Sequence, residues 1–320
     1  MSKNNLFKFV FPLLLIFSSW VQAAPSFSQI YVFGDSLSDT GNLASIGGDL
    51  PAPYYMNRIS NGPVAVETLA AKLGLSAEAS LHLIGPEMGG NYAVARGNAY
   101  GKEIFDLNTQ LISFHSNHGF VAPADALYVM FIGGNDVRDA VYLPDLAVAE
   151  SLVKAAATAV RHAIESLAQA GAQSFLLVNA PNISVIPETR FYAANNPELI
   201  DRALLLSNLY KAALHDTVGK LKEDNNISIS EFDLFKFFNK LLTKAEKYGF
   251  SNSTEACFST LIYQEDIFHP DCNYGMNFDQ FIFFDEIHPT TRVHELVGEA
   301  FYKKLEDDEY DDCDCVRVKI

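Results

Sequence analysis

Four short apolar segments limit what this chain can fold into: QIYVFG (29–34), ALYVMFIG (126–133), SFLLVNA (174–180) and ISISEFD (227–233). Each is of strand length, and the stretches between them carry helical patterning. Short apolar strands alternating with helices imply a mostly parallel sheet covered on both faces, an α/β class. The first helix is expected over PVAVETLAAKLG (63–74), where Pro63 suits an opening turn and Gly74 a stop. A second is expected over 145–170, with an apolar stripe of Val148, Leu152, Ala155, Ala156, Ala159, Ala163 and Leu167 and a terminating Gly171. Two more are expected over 197–223 and 289–304. No fixed-period repeat or Pro-rich linker divides the 320 residues, so one domain over 24–305 is the simplest reading.

The start of the chain reads differently. Residues 1–23 carry Lys3 and Lys8, an apolar run from Phe9 to Trp20, and small residues at Val21-Gln22-Ala23. This is the pattern of a cleaved export signal, and the apolar run is short for a membrane span. The absence of a cysteine beside the cleavage site argues against a lipoprotein anchor. Removing the segment takes away two lysines and no acid, so the formal net charge goes from −16 to −18. That excess disfavours nucleic acid and purely electrostatic docking on anionic lipid. Part of it sits in LEDDEYDDCDC, and residues 306–320 read as a solvated acidic tail. Hydrophobic residues at 49% and charged residues at 19% suffice for a large core.

An exported chain favours disulfides. Cys257 and Cys272 can close a loop whose bridging would contribute roughly 3 kcal/mol on the chain-entropy model. Cys313 and Cys315, spaced CxC, are open to a redox pair or an intermolecular link. His115 and His118 have metal-like spacing, yet no Cys or carboxylate completes a cluster, so neither a metal nor another cofactor is expected.

In open parallel sheets ligands bind beyond the carboxyl ends of the strands. GDSLSDTGN follows the first strand and GGNDVRD the second, so these polar motifs converge on one edge. A serine hydroxyl needs a base, and the base an orienting carboxylate. Ser36 is the candidate nucleophile, and DEIHPT supplies His288 with Asp285 three residues earlier. Asn135 has an amide that donates without titrating, suited to an oxyanion, where each such donor contributes a factor of about 10²–10³ in rate. GDSLS lacks the final glycine of the GxSxG elbow, so this is not that architecture. Asp39 is read as fixing the turn after Ser36, His294 as packing on a helix, and Arg58 and Asn61 as shaping the pocket. The aromatic runs FDLFKFF and FDQFIFF are read as core with some share in an acyl pocket.

FGDSLSDTGN, GGND and DEIHPT, in this order, resemble the GDSL lipase/esterases, or SGNH hydrolases, as do NRISNGPVAVETLAAKLGL, NYAVARGNA and HPTTRVHELVGEAF. The resemblance covers about residues 29–303 and is strongest to secreted bacterial phospholipase A, lysophospholipase A and glycerophospholipid:cholesterol acyltransferase types. It implies a three-layer α/β/α flavodoxin-like fold, with Ser36, His288 and Asp285 as the triad. The implied oxyanion hole is the Ser36 N–H, the Asn135 amide and a backbone N–H of the second block. There the usual glycine pair is replaced by Ala95-Arg96; by residue type the donor is Gly97, by count Arg96. The implied partners are lipid or lysophospholipid esters, a sterol acceptor and transient contact with a membrane surface. Within the family a carbohydrate acetylesterase or short-chain esterase is the alternative. A non-catalytic lipid-binding or adhesive protein is the alternative outside enzymes. Oligomeric state is open.

Overall fold

The structure, a computed structural model, describes residues 26–225, 227–259 and 267–317. The expected export signal lies outside the described residues. Strands β1 (Ile30–Gly34), β2 (Leu127–Phe131), β3 (Ser174–Val178) and β4 (Ser228–Phe232) form one parallel sheet in that order. Register is unbroken, with Ile30 opposite Leu127, Leu127 opposite Ser174 and Ser174 opposite Ser228. β1 and β2 are buried along their whole length, as continuous apolar strands of a doubly covered sheet must be.

On its other edge β1 pairs with a segment that precedes β2 in the chain. Val32 forms an isolated parallel bridge with Asn91. The Val32 N–H donates to Gly90 O at 3.0 Å, and the Tyr92 N–H to Val32 O at 2.8 Å. The order in space is therefore second, first, third, fourth, fifth, and the direction of winding reverses at β1. A crevice opens at such a reversal, beyond the carboxyl ends of the strands. The residue two positions past β1 is Ser36.

The helices are α1 (Asn42–Gly47), α2 (Ala65–Lys72), α3 (Leu107–Asn117), α4 (Gly134–Val141), α5 (Leu146–Ala170), α6 (Pro187–Ala193), α7 (Glu198–Asn225), α8 (Leu234–Thr243) and α9 (Thr291–Arg317). Strand parity separates the layers. Tyr128 meets Phe114 of α3 edge-on at 6.1 Å, whereas Phe131, of opposite parity, meets Phe301 of α9 at 5.9 Å. Since alternate side chains leave opposite faces of a strand, α3 and α9 cover opposite faces. α5 packs with α3 and α7, and α2 with α9.

Most boundaries fall where the sequence places them. Asp145 caps α5 by accepting the N–H groups of Ala147 and Val148 at 2.8 and 3.3 Å, and Gly171, at φ 120°, ends it. The face that α5 buries differs from expectation: Ala149, Val153, Ala156, Val160, Ala163, Ile164 and Leu167 point inward, and Val148 is 54% exposed. An alanine-rich helix carries apolar residues on adjoining stripes, so its periodicity does not choose between them; packing against α7 does. α2 begins at Ala65, two residues after Pro63, where Glu67 Oε2 accepts the Val64 N–H at 2.8 Å. α9 carries through Arg317, into the acidic segment set apart as a tail.

Beyond α8, β5 (Asn252–Ala256) pairs with β8 (Phe281–Phe283), and β6 (Phe258–Ser259) with β7 (Ile267–Phe268). These small sheets stand beside the main one and carry the segment leading to His288.

Phe301 is fully buried against Phe131 and, at 4.8 Å, Phe232, joining α9 to two strands. Phe301→Ala should lower unfolding free energy by about 3–5 kcal/mol through lost burial and the cavity left behind. The shift in urea midpoint at unchanged slope measures it.

Candidate active site

Three loops at the carboxyl edge bring together residues 36, 135, 285 and 288. The loop after β8 folds back on itself, with the Phe284 N–H donating to His288 O at 2.8 Å. The Asp285 carboxylate closes the turn from inside, Oδ1 accepting the N–H groups of Ile287 at 2.8 Å and His288 at 2.6 Å. This turn stands the imidazole over its own orienting carboxylate: His288 Nδ1 lies 2.8 Å from Asp285 Oδ2. Nδ1–H therefore donates to Asp285 and Nε2 is left as an acceptor. Nε2 lies 2.8 Å from Ser36 Oγ. An imidazole so held can take the serine proton as Oγ attacks, and the carboxylate stabilises the charge that results. Ser36 is 8% exposed, open on one side.

Asn135 enters on the first turn of α4. Gly133 before it, at φ 112°, has no space for a side chain, because a Cβ would meet the Tyr210 hydroxyl at 2.0 Å. Tyr210 donates to Ile132 O at 2.6 Å and so fixes the end of β2 from α7. Asn135 Nδ2 donates one hydrogen to Gly97 O at 2.9 Å, and among the described residues the other has no partner.

The second block corrects one expectation. The Gly97 N–H donates to Val94 O at 3.0 Å and closes a turn, so it is not free to meet an oxyanion. A Cβ at Gly97 would lie 2.6 Å from Phe105 O, which accounts for the glycine by crowding alone. Arg96 adopts φ 74°, where glycine is favoured, and among the described residues neither its N–H nor that of Ser36 has a hydrogen-bond partner.

Sequence reasoning missed the groups that hold these loops. Asp39 accepts the N–H groups of Gly41, Asn42, Leu43 and Ala95 at 2.7–3.0 Å, tying the serine loop to the second block. Its turn-fixing role was legible, its reach to Ala95 was not. Asp136, next to Asn135, accepts from Ala99 at 2.7 Å and Tyr100 at 2.9 Å. Gln110 of α3 pairs with both sides of Gly34, accepting its N–H at 3.0 Å and donating to its carbonyl at 2.8 Å. Only the polar character of a residue on an apolar helix face pointed to it.

Arg58 and Asn61 do not line the cavity. Arg58 pairs with Glu67 of α2 at 2.5 Å, and Asn61 Oδ1 accepts the first N–H of α9, from Thr291, at 2.9 Å. His294 accepts the Ala65 N–H on Nδ1 at 3.2 Å, and burial pushes its pKa down to about 3, with His288 adding to the effect. His115 and His118 have separate partners, Ser166 and Glu87.

An apolar cavity adjoins Ser36, lined by Leu37, Phe131, Ile183, Ile186, Phe238 and Val297. Leu234 and Phe238 of FDLFKFF contribute to it, whereas in FDQFIFF Phe281, Ile282, Phe283 and Phe284 are core. Cys257 and Cys272 are joined in a disulfide, with Cα atoms 5.4 Å apart. The stapled segment grips the run before His288: the Cys257 N–H donates to Phe283 O at 3.0 Å and the Phe258 N–H to Phe284 O at 2.8 Å. Ser259 Oγ also donates to the buried Glu286 carboxylate. The side chains of Cys313 and Cys315 lie outside what is described.

Burial pushes the Asp35 carboxyl up to about 6, against the Leu37 N–H and His288, which lower it. It pushes Asp136 up to about 7, opposed by the Tyr100 and Ala99 N–H groups and reinforced by Asp35. A carboxyl raised on folding stabilises the fold most while it is protonated, and that contribution falls as pH rises from about 4 through 7. Asp136→Asn removes this dependence, so its loss of thermal stability should be smaller at pH 8 than at pH 4.5, read from melting temperatures across pH. Cys257→Ser should lower stability by about 3 kcal/mol for a closure spanning 15 residues and lower turnover with it, read by denaturation and initial rates on the same sample.

A family model described as GDSL-like Lipase/Acylhydrolase matches residues 30–301. The phosphatidylcholine-sterol acyltransferase of Aeromonas hydrophila is 27% identical, over 87% of this chain and 91% of its own. The thermolabile hemolysin of Vibrio parahaemolyticus is 25% identical over 85% of this chain, and the match spans 62% of that relative's length. Among solved structures, a catalytic mutant of an acetylxylan esterase from Geobacillus stearothermophilus aligns with TM-score 0.44 at 14% identity, covering 89% of this chain and 96% of that one. A match over residues 30–301, with a serine, a histidine and an aspartate hydrogen-bonded in series inside it, places the chain in the GDSL-like lipase/acylhydrolase family as a serine ester hydrolase.

Proposed function

We propose that this chain is an exported lipid acyl hydrolase, a lysophospholipase or phospholipase A, that also passes its acyl group to an alcohol such as a sterol. The observation that carries the reading is the apolar cavity opening on the Ser36 hydroxyl, where an acyl chain can lie with its ester carbonyl at Oγ. The Aeromonas relative's name agrees with it. The Lys3–Ala23 pattern and the Cys257–Cys272 bridge support export. We assign residues 24–305 to the hydrolase domain.

Ser36 Oγ attacks the ester carbon while His288 Nε2 takes its proton. The C–O π pair moves onto oxygen, which is held by the N–H groups of Ser36 and Arg96 and the free hydrogen of Asn135 Nδ2. Gly97 contributes through its carbonyl, which aims that amide. The tetrahedral intermediate collapses, the bond to the alkyl oxygen breaks, and His288 gives its proton to the leaving alcohol. Water, or another alcohol, then attacks the acyl-Ser36 ester with His288 again as base, restoring the hydroxyl and releasing acid or a new ester.

The test is a release panel of lysophosphatidylcholine, phosphatidylcholine, monoacylglycerol and acetylated sugar, with and without cholesterol. Fatty-acid release from the first two is expected; acetate release alone would move the assignment to a carbohydrate acetylesterase. Ser36→Ala should lose at least about 10⁴-fold in kcat, and Asn135→Ala about 10²–10³-fold with KM little changed. Ser36→Ala with full activity would remove the nucleophile. Because a backbone donor is at issue, Arg96→Gly should keep kcat on a short-chain ester within a few fold, whereas Gly97→Ala should lose most of it by displacing the loop from Phe105.

A further inference from the structure

A second cleft lies against the apolar cavity, and the wall between them is Arg138, which lines both. The cleft is open, about 700 Å³, and bounded by α4, α6 and the start of α7. Its chemistry is unlike that of the cavity, for Arg138, Arg202, Glu188, Glu198, Tyr142 and Tyr192 all face it. We propose that this cleft is the subsite for a zwitterionic glycerophosphoryl head group, with phosphate at Arg202 and the outer edge of Arg138 and a quaternary ammonium between the tyrosines and Glu198. The proposal rests on the phospholipid reading above and extends it to head-group choice.

Position comes first. Arg138 is one turn along α4 from Asn135, so the cleft begins within a helical turn of the amide that would hold the ester carbonyl. Arg138 is fixed there by a bidentate pair with Glu188, Nε to Oε2 at 2.5 Å and Nη2 to Oε1 at 2.6 Å. Glu188 is 3% exposed, and its N–H donates to Glu286 O at 3.0 Å, so the wall is anchored to the loop bearing His288. Among the described residues Nη1 has no hydrogen-bond partner, Asp139 lying 4.0 Å away, and keeps donors for a ligand.

Charge comes next. Arg202 donates through Nη2 to Leu143 O but has no carboxylate partner among the described residues, and its Nε is without any partner. Glu198 likewise has no cationic partner among the described residues. Two guanidinium groups and two carboxylates sum to no net charge, in a chain whose total is −16. Such a lining suits a ligand bearing both signs over a simple anion, which the field of the whole molecule repels. Guanidinium recognises phosphate, and tyrosine faces attract quaternary ammonium. Tyr142 and Tyr192 meet edge-on at 5.7 Å and are 40% and 42% exposed, leaving ring surface to the cleft.

The test compares the full chain with Arg202→Gln and Arg202→Lys on lysophosphatidylcholine and on monoacylglycerol of the same acyl chain. In parallel, glycerophosphocholine is titrated as inhibitor of p-nitrophenyl ester hydrolysis. Arg202→Gln should reduce kcat/KM for lysophosphatidylcholine about tenfold, mainly through KM, with monoacylglycerol within about twofold and partial recovery in Arg202→Lys. Glycerophosphocholine should inhibit the unaltered chain competitively and Arg202→Gln much less. Equal losses on both lipids, or no loss on either, would overturn the subsite. Fatty-acid release without any inhibition by glycerophosphocholine would also overturn it while leaving the lipid reading intact. Inhibition that disappears in Arg202→Gln, in a chain that releases no fatty acid, would keep the subsite and reject the lipid reading.

Discussion

Side-chain carboxylates accepting backbone N–H groups hold the catalytic edge of this molecule together. Where a parallel strand ends, the following loop loses its ladder partners, and a buried loop needs another acceptor for each N–H. Asp39 supplies four such bonds, Asp136 and Asp285 two each, and Asp106 binds Asn98 at 2.9 Å and Glu103 at 2.8 Å. Each carboxylate joins segments that the chain separates or turns back. The serine loop is thereby fastened to the second block, the second block to α4, and the histidine to its own turn.

Such fastening fixes distances in the site while loading it with buried acids. Burial raises Asp35, Asp39 and Asp136, and N–H donors offset part of the rise in each. Asp35 precedes the nucleophile and Asp136 follows Asn135 in the chain, so both buried carboxyls belong to the loops that carry the site. Donors preset in a dry site need little reorganisation during the reaction. That gain comes with a stability that depends on pH.

Around this centre the surroundings divide by polarity. Leu37, Ile183, Ile186 and Phe238 face one side of Arg138, and Tyr142, Tyr192 and Arg202 the other. The pair of Arg138 with Glu188 carries this boundary, linking α4 to α6 and through Glu286 to the histidine loop. The disulfide-stapled segment reaches the same loop from the opposite direction through Ser259. His288 is therefore steadied by contacts far apart in sequence.

Periodicity and punctuation determined the class of fold, four strand positions and the limits of α5 and α7 to within a residue or two, and they set the loops of Ser36 and Asn135 on one edge of the sheet; Asp285 and His288 joined them in the sequence through the family resemblance. These are local matters: apolar strands buried on both faces, a capping Asp145, a terminating Gly171 and a short DxxH turn all act over a few residues. Only the tertiary structure decided which stripe of α5 is buried, because alanine satisfies several faces and the neighbouring helix selects one. It alone decided that Gln110 braces Gly34, since a hydrogen bond across 76 residues leaves no local pattern, and that the Gly97 N–H closes a turn onto Val94 O, since the positive φ of Arg96 inside that turn is not signalled by an arginine. Pairings such as Arg138 with Glu188 depend on where the sheet delivers its loops, and that placement belongs to the folded chain as a whole.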